Sequence, residues 1–301
     1  MSCESRSHIR AWLAYEAGEE KSIVYNDADQ FRILMIETAF AEAEATITPE
    51  LCALRDCNGS CVLELAISGC APLSTIQRII GIAPELAREK SCFGYTMLQE
   101  VFRIGHVERD TIVPLLLAAY PEIVSVKGFC SEIPIYTMIR LFPELETFRV
   151  LHAAAEAIGF DDLSARDING DTILHLAVTK SAAIAVAIVG IRRETKDAVN
   201  LRGLRPFHSF CFSEAEFSEN DALLIFHSVY NQWVPLKEKM GHLDLYNCDF
   251  IQQALNNCWL HTSIKQWLVE EHPAWCECAS PSFEQQLEDQ RVMRVLGGGR
   301  L

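Results

Sequence analysis

Asp167-Ile168-Asn169-Gly170-Asp171-Thr172-Ile173-Leu174-His175-Leu176-Ala177 is the stretch that decides the fold. Asn169-Gly170 makes a tight turn, because both residues tolerate positive φ. Thr172 offers its hydroxyl as the N-cap of a helix that starts just after it. Leu174 and Ala177 lie three apart and share one face of that helix, where the small Ala lets a neighbour pack close. Self-similarity at a fixed period makes such a turn and helix one unit of an array.

Other segments align on the same glycine. Gly59 opens Gly-Ser-Cys-Val-Leu-Glu-Leu-Ala, Gly94 opens Gly-Tyr-Thr-Met-Leu-Gln, and Gly203 opens Gly-Leu-Arg-Pro-Phe-His, which ends at His208. Ser131 takes the glycine's place in Ser-Glu-Ile-Pro-Ile-Tyr, with Gly128 three residues earlier as another source of the turn. The successive spacings are 35, 37, 39 and 33 residues. A second marker keeps the same phase. Pro84 and Pro121, 37 apart, each follow an apolar run and end the second helix of a unit. Ile76, Ile79 and Ile80 stand at helical spacing before the first. Ile112, Leu115, Leu116 and Ala119 do so before the second, with Pro114 read as lying near the helix start.

The Gly170 unit resembles the opening of an ankyrin repeat, whose pattern runs Asp, Gly, Thr-Pro-Leu-His, then Ala. The Gly203 unit is similar to it as well, through Pro206 and His208. The Gly59, Gly94 and Ser131 units keep the apolar rhythm and lose most of the letters. The resemblance covers residues 55–235, and insertions lengthen its middle units beyond the usual period of about 33. It implies an all-α solenoid of about six stacked helix-turn-helix repeats with capping helices. It also implies that Thr172, His175 and His208 are structural, the rings serving the turn hydrogen bonds.

Residues 1–54 are expected to form an N-terminal cap or a degenerate first repeat. Within them a helical run over 27–45 places Phe31, Leu34, Met35 and Thr38 on one face. Residues 236–276 are expected to be a C-terminal capping pair, with helices over 249–258 and 264–271 stopped at His272-Pro273. Residues 277–301, ending in a run of glycines, read as a mobile tail.

With 41 acidic residues against 26 Lys plus Arg, the net charge is −15. Nucleic-acid binding draws on phosphate neutralisation, so this balance argues against it, and a protein partner with a basic surface is favoured instead. The window 173–191 is interrupted by polar residues and reads as a buried helix pair, giving no expectation of a membrane span. Twelve scattered cysteines and no apolar leader point to reduced thiols in the cytosol or nucleus.

Repeat scaffolds of this kind are similar in being binding proteins, using turn tips and a concave face. The tips here carry Phe93, Tyr95, Phe129, Ile168, Leu204 and Arg205, the aromatic and Arg side chains being usual interface anchors. Sharper chemistry finds little support. Cys248, Cys258, His261, His272, Cys276 and Cys278 gather late, but Cys276 and Cys278 are one residue too close for a Cys-x2-Cys zinc pair. His208 and Cys211 could meet on a helix, yet His208 falls in the repeat's histidine slot. Glu214, Glu216, Glu219 and Asp221 lack the alternation of a calcium loop and read as a solvated loop. No phosphate-loop, dinucleotide or nucleophile-elbow motif occurs. The expectation is a non-enzyme without cofactor, metal or small-molecule substrate. The alternative is an adaptor whose ends, 1–26 or 277–301, recruit other machinery, or a zinc-binding C-terminal module.

Overall fold

The computed structural model describes residues 26–230, 254, 257, 258 and 260–271. Among them the regular structure is helical, with a single isolated bridge between Lys90 and Thr96 and no strand. The α-helices in chain order are α1 Asp27–Ile36, α2 Phe40–Thr46, α3 Pro49–Ala53, α4 Val62–Ser68, α5 Leu73–Ile82, α6 Met97–Ile104 and α7 Arg109–Ala119. They continue as α8 Pro134–Leu141, α9 Leu145–Ala157, α10 Ile173–Ala177, α11 Ala182–Ile191, α12 Pro206–Cys211, α13 Glu219–Val229 and α14 Thr262–Glu271. Two compact units are distinguishable: residues up to Phe142 with Arg149–Phe160, and Pro143–Phe148 with the residues from Asp161 on. The boundary falls inside the span expected as one array.

Each repeat begins with the same five-residue turn. The backbone N–H of its first residue donates to the carbonyl of its fifth: Asp56 to Ser60, Ser91 to Tyr95, Gly128 to Glu132, Asp167 to Asp171 and Asn200 to Leu204, at 2.7 to 3.1 Å. The fourth residue closes the loop at positive φ, which is +83° at Gly59, +81° at Gly94, +74° at Gly170 and +75° at Gly203. Ser131 occupies that slot at +58°, so the strained conformation is taken by serine itself. Gly128 does not supply it, since its φ is −104°. A Cβ on Gly128 would lie 1.7 Å from Oε1 of Gln99, so glycine is needed there for a close approach.

In three of these turns the first side chain locks the loop. Oδ1 of Asp56 accepts from Asn58 N and Ser60 N, Oδ1 of Asp167 from Asn169 N and Asp171 N, and Oδ1 of Asn200 from Arg202 N and Leu204 N. A short helix follows and a longer one returns. In α5, Ile76 and Ile79 are wholly buried, and Leu174 and Ala177 are buried on α10 as their spacing requires. Fully burying an Ile or Leu is worth about 1.5–3 kcal/mol, so these faces outweigh the modest propensity of five-residue helices. Short 3-10 turns at Pro84–Arg88 and Pro121–Ser125 stop the returning helices, and Arg193–Asp197 does so without proline.

Four expectations are corrected. Pro114 lies inside α7 rather than near its start, with its ring exposed on the solvent side. The run over 27–45 breaks after Ile36, where Thr38 turns with φ +59° and is exposed instead of sharing the apolar face. The resulting α1–α2 hairpin packs through α1 on α4. Glu219 and Asp221 form the first turn of α13, capped by Ser218, rather than a loop. The last helix starts at Thr262, two residues early. The expected helix over 249–258 lies largely outside the described residues, as do Cys248, His272, Cys276, Cys278 and both chain ends.

Candidate functional site

In three repeats the third residue of the first helix does two jobs. It satisfies the N–H of its own N-cap and reaches the turn of the following repeat. Nδ1 of His175 accepts from Thr172 N at 3.1 Å, which leaves Nε2–H to donate to the Leu204 carbonyl at 3.0 Å. The Thr172 hydroxyl lies 2.8 Å from the same Nδ1. His208 repeats the first half, accepting from Arg205 N at 3.0 Å. Burial pushes both rings below the ordinary histidine pKa, and His208, also beside the Arg205 guanidinium, falls to about 4. The neutral ring that this hydrogen-bond pattern needs is therefore the stable form.

Of the units without histidine, three keep the bond to the next turn, and two of those reverse its polarity. Gln99 accepts from Thr96 N through Oε1 and donates Nε2–H to the Glu132 carbonyl at 3.1 Å. Glu64 is an acceptor only, and the next turn presents a donor: Cys92 N lies 3.2 Å from Oε1. Asp29 does likewise with Asn26 N at 3.0 Å and Cys57 N at 2.7 Å. Burial alone would raise the Asp29 pKa, but those backbone donors outweigh it and hold the carboxyl below its usual range. At Glu64 burial wins and the pKa is raised. Sequence reading missed Asp29, Glu64 and Gln99. Their register three after Asn26, Cys61 and Thr96, matching Thr172 to His175, was the available signal. His106 was missed too. It is wholly buried and bonds the Ala71 carbonyl at 3.1 Å, tying the inter-helix corner of one repeat to the next.

A turn with positive φ at its fourth residue, a capped short helix whose third residue bonds the next turn, and a returning helix recur through both units. This is an ankyrin-type repeat fold. The chain is similar to the ankyrin repeat domain of Bcl-3, a unique member of the IkappaB protein family, with 19% identity and a TM-score of 0.43 over 66% of this chain and 85% of that one. It is also similar to a chain of the complex between the predatory endopeptidase Bd0816 of Bdellovibrio bacteriovorus and immunity protein Bd3460, with 14% identity and a TM-score of 0.44 over 61% and 87%. No protein-family model matches the sequence, and no curated protein does. The fold rests on the repeat geometry rather than on either likeness.

The expected tip residues separate by unit. In the first, Phe93 is 66% exposed, and the Tyr95 and Phe129 rings lie 4.7 Å apart with the Arg103 guanidinium 5.5 Å above Tyr95. Tyr95, Phe129 and Arg103 thus form one surface. In the second unit Ile168 is exposed, but Leu204 and Arg205 are half-buried. Leu204 lends both its N–H and its carbonyl to the turn network, while Arg205 caps α12 and pairs with Asp197 at 3.6 Å. The exposed neighbour of Ile168 is Leu201, at 79% exposure, whose N–H donates to the Asn169 carbonyl at 3.0 Å. Sequence reading passed over Leu201, although it stands two residues before Gly203 as Ile168 stands two before Gly170.

The His208–Cys211 pair does not form a nucleophile and base. Cys211 is fully buried, burial raises its thiol pKa, and the same burial keeps His208 neutral. Asp29, Asp56 and Cys57 bring ligand-type atoms within 4.8 Å of one another. Arg32 already supplies their cation, with Nε 3.3 Å from Asp56 and Nη2 donating to Cys57 Sγ at 3.2 Å. A cleft beside Lys196, Asp197, Phe207, His208 and Tyr230 has room for little more than a water molecule. Among the described residues no helix is long and apolar enough to cross a membrane.

Proposed function

We propose that this chain is a protein-binding scaffold that engages its partner along the turn edge. The observation that carries the reading is the exposed Phe93 and Phe129 with the half-buried Tyr95, on turns whose backbones are locked by hydrogen bonds, and the exposed Arg103 of α6 over the Tyr95 ring. Rigid aromatic side chains lose little entropy on binding, and aromatic and Arg side chains are the residue types that dominate interface energetics. Ile168 and Leu201 give the second unit an apolar edge of its own. The net charge of −15 favours a partner with a basic surface. A reducing compartment, cytosol or nucleus, suits the free cysteines among the described residues.

The test is affinity capture with the full chain from cells that express it, beside two variants. One carries Phe93→Ala and Phe129→Ala, the other Ile168→Arg and Leu201→Arg. A discrete protein held by the natural chain and lost with either variant assigns the edge of that unit. Retention by both variants would rule out the turn edge.

A further inference from the structure

Charge is distributed unevenly over this chain. Its total is −15, yet around the Tyr95–Phe129 pair the exposed sign is positive. The two stretches that build that surface, 88–103 and 126–140, hold five basic residues and three acidic ones. Each acid is already matched and at least half-buried: Glu89 with Arg55, Glu100 with Arg103 and Glu132 with Arg140. Arg88 lies 5.1 Å from the centre of the Tyr120 ring. Lys90 and Lys127 remain, both exposed and neither paired with a carboxylate among the described residues. They hold equivalent places, each one residue before the first residue of its turn. Lys90 Nζ donates to the Lys127 carbonyl at 2.8 Å, which joins the two lysines at one place on the edge and leaves that ammonium two further donors. Lys127 stands two residues before Phe129, within about 7 Å along the chain. The Phe129 ring is held against Tyr95 by a tip whose Cys130 and Ser131 take φ +55° and +58°, a strained form for residues with a Cβ. Strain of that kind clusters at ligand-binding sites.

We propose that the first unit's edge takes an acidic segment of the partner, whose Asp or Glu carboxylates bond Lys90 and Lys127 while an adjacent apolar side chain packs on Tyr95 and Phe129. This rests on the protein-binding reading above and names the partner's chemistry at that edge. The sign is opposite to the one that the total charge favours, so a basic surface on the partner belongs to contacts elsewhere on the chain. Charge complementarity commits the edge to this occupant. A basic segment would meet two unmatched ammonium groups, and a purely apolar one would cover them without a partner. A single-stranded nucleic acid also brings anions and planar groups, but its run of phosphates would face the negative charge of the rest of the chain.

The test is selection of a displayed random peptide library on the purified full chain, followed by affinity measurement of the enriched peptides. Peptides carrying Asp or Glu beside an apolar residue are expected. Replacing those acids by Asn or Gln should weaken binding about tenfold, as should Lys127→Glu, with circular dichroism confirming that the variant stays folded. Lys90→Gln and Phe129→Ala should weaken it as well, and Leu201→Arg in the other unit should not. Enriched peptides without an acid, or peptides bound equally by folded Lys127→Glu, would overturn the acidic-segment site. So would an oligothymidine strand that binds more tightly than the best peptide and displaces it. If peptides without an acid are still lost with Phe129→Ala, the edge remains a protein-binding surface. If Lys127→Glu unfolds, the Asn and Gln peptides decide alone. Absence of any enriched peptide would count against both readings.

Discussion

The Gly170 unit carries the recognisable letters, and the Gly59 and Gly94 units do not, yet in all three the same position bonds the next turn. His175 donates to a carbonyl of the next turn, whereas Glu64 accepts from an N–H of the next turn. Gln99 stands between, accepting at its own N-cap and donating onward like the histidine. What the repeats share is a position, the third residue of the first helix, and a requirement that its polarity oppose that of the following turn. A histidine is one solution among several.

The largest expected effect separates the turns of the two regions. Gly170→Val forces a β-branched residue to φ +74° and sets its Cβ against Leu201, whose backbone N lies 2.9 Å from the added atom. The loss should be about 3 kcal/mol or more. Gly59→Val meets the same left-handed penalty with no atom within 4 Å, and should lose about 1–2 kcal/mol. Urea unfolding of the two variants measures the difference. Equal losses would mean that the second unit's turns gain nothing from packing on each other.

Acid should discriminate as well. His175 and His208 both have folded-state pKa values below the unfolded value near 6.5, so the unfolded chain binds more protons in that window. The stability they allow is complete above pH 6.5 and is lost as pH falls toward 4, by about 3 kcal/mol for His208. Glu64 has the opposite sign: its folded pKa is raised, so its contribution is full below the unfolded value and lost as pH rises. His106 is the first unit's own acid-sensitive ring. Hydrogen exchange at pH 7 and pH 5, corrected for intrinsic rates, should show the amides of α10 and α12 losing more protection than those of α4 and α6.

Much of this was legible. The Asp167–Ala177 stretch contains every element of its own geometry: the locking Asp167, the Gly170 turn, the Thr172 cap and the His175 relay. The spacing of Gly59, Gly94, Ser131 and Gly203 placed four further turns correctly, because positive φ and a period are properties that letters display. What stayed hidden depends on contact between repeats. Gly128 looks like a turn glycine until Gln99 is seen to fill the space beside it. Leu204 looks like a free tip until its carbonyl is found on His175. Glu100 reads as an ordinary helix residue, and only burial with one oxygen unmet marks it out.

Exchanging the relay residues sharpens the polarity rule. His175→Glu would set a carboxylate against the Leu204 carbonyl, acceptor facing acceptor in a buried position, and should cost about 2–3 kcal/mol. His175→Gln retains an acceptor for Thr172 N and a donor for Leu204, as Gln99 does in its own repeat, and should cost about 1 kcal/mol or less. Denaturation midpoints compare the pair. If both substitutions cost the same, the ring matters for its packing and the bond between repeats is incidental.

The smallest stability effect belongs to the edge. Phe93 buries little, so Phe93→Ala removes almost no apolar area from the core, and its melting temperature should match that of the natural chain to within the equivalent of about 0.5 kcal/mol. A side chain that contributes nothing to folding and exposes an aromatic ring to water raises local aggregation risk, a cost that a bound partner would remove by covering it. Loss of binding with unchanged melting would assign Phe93 to recognition. Loss of stability would instead make it a packing residue of the turn, and the contrast between a structural relay and a binding edge would have to be drawn elsewhere in the repeat.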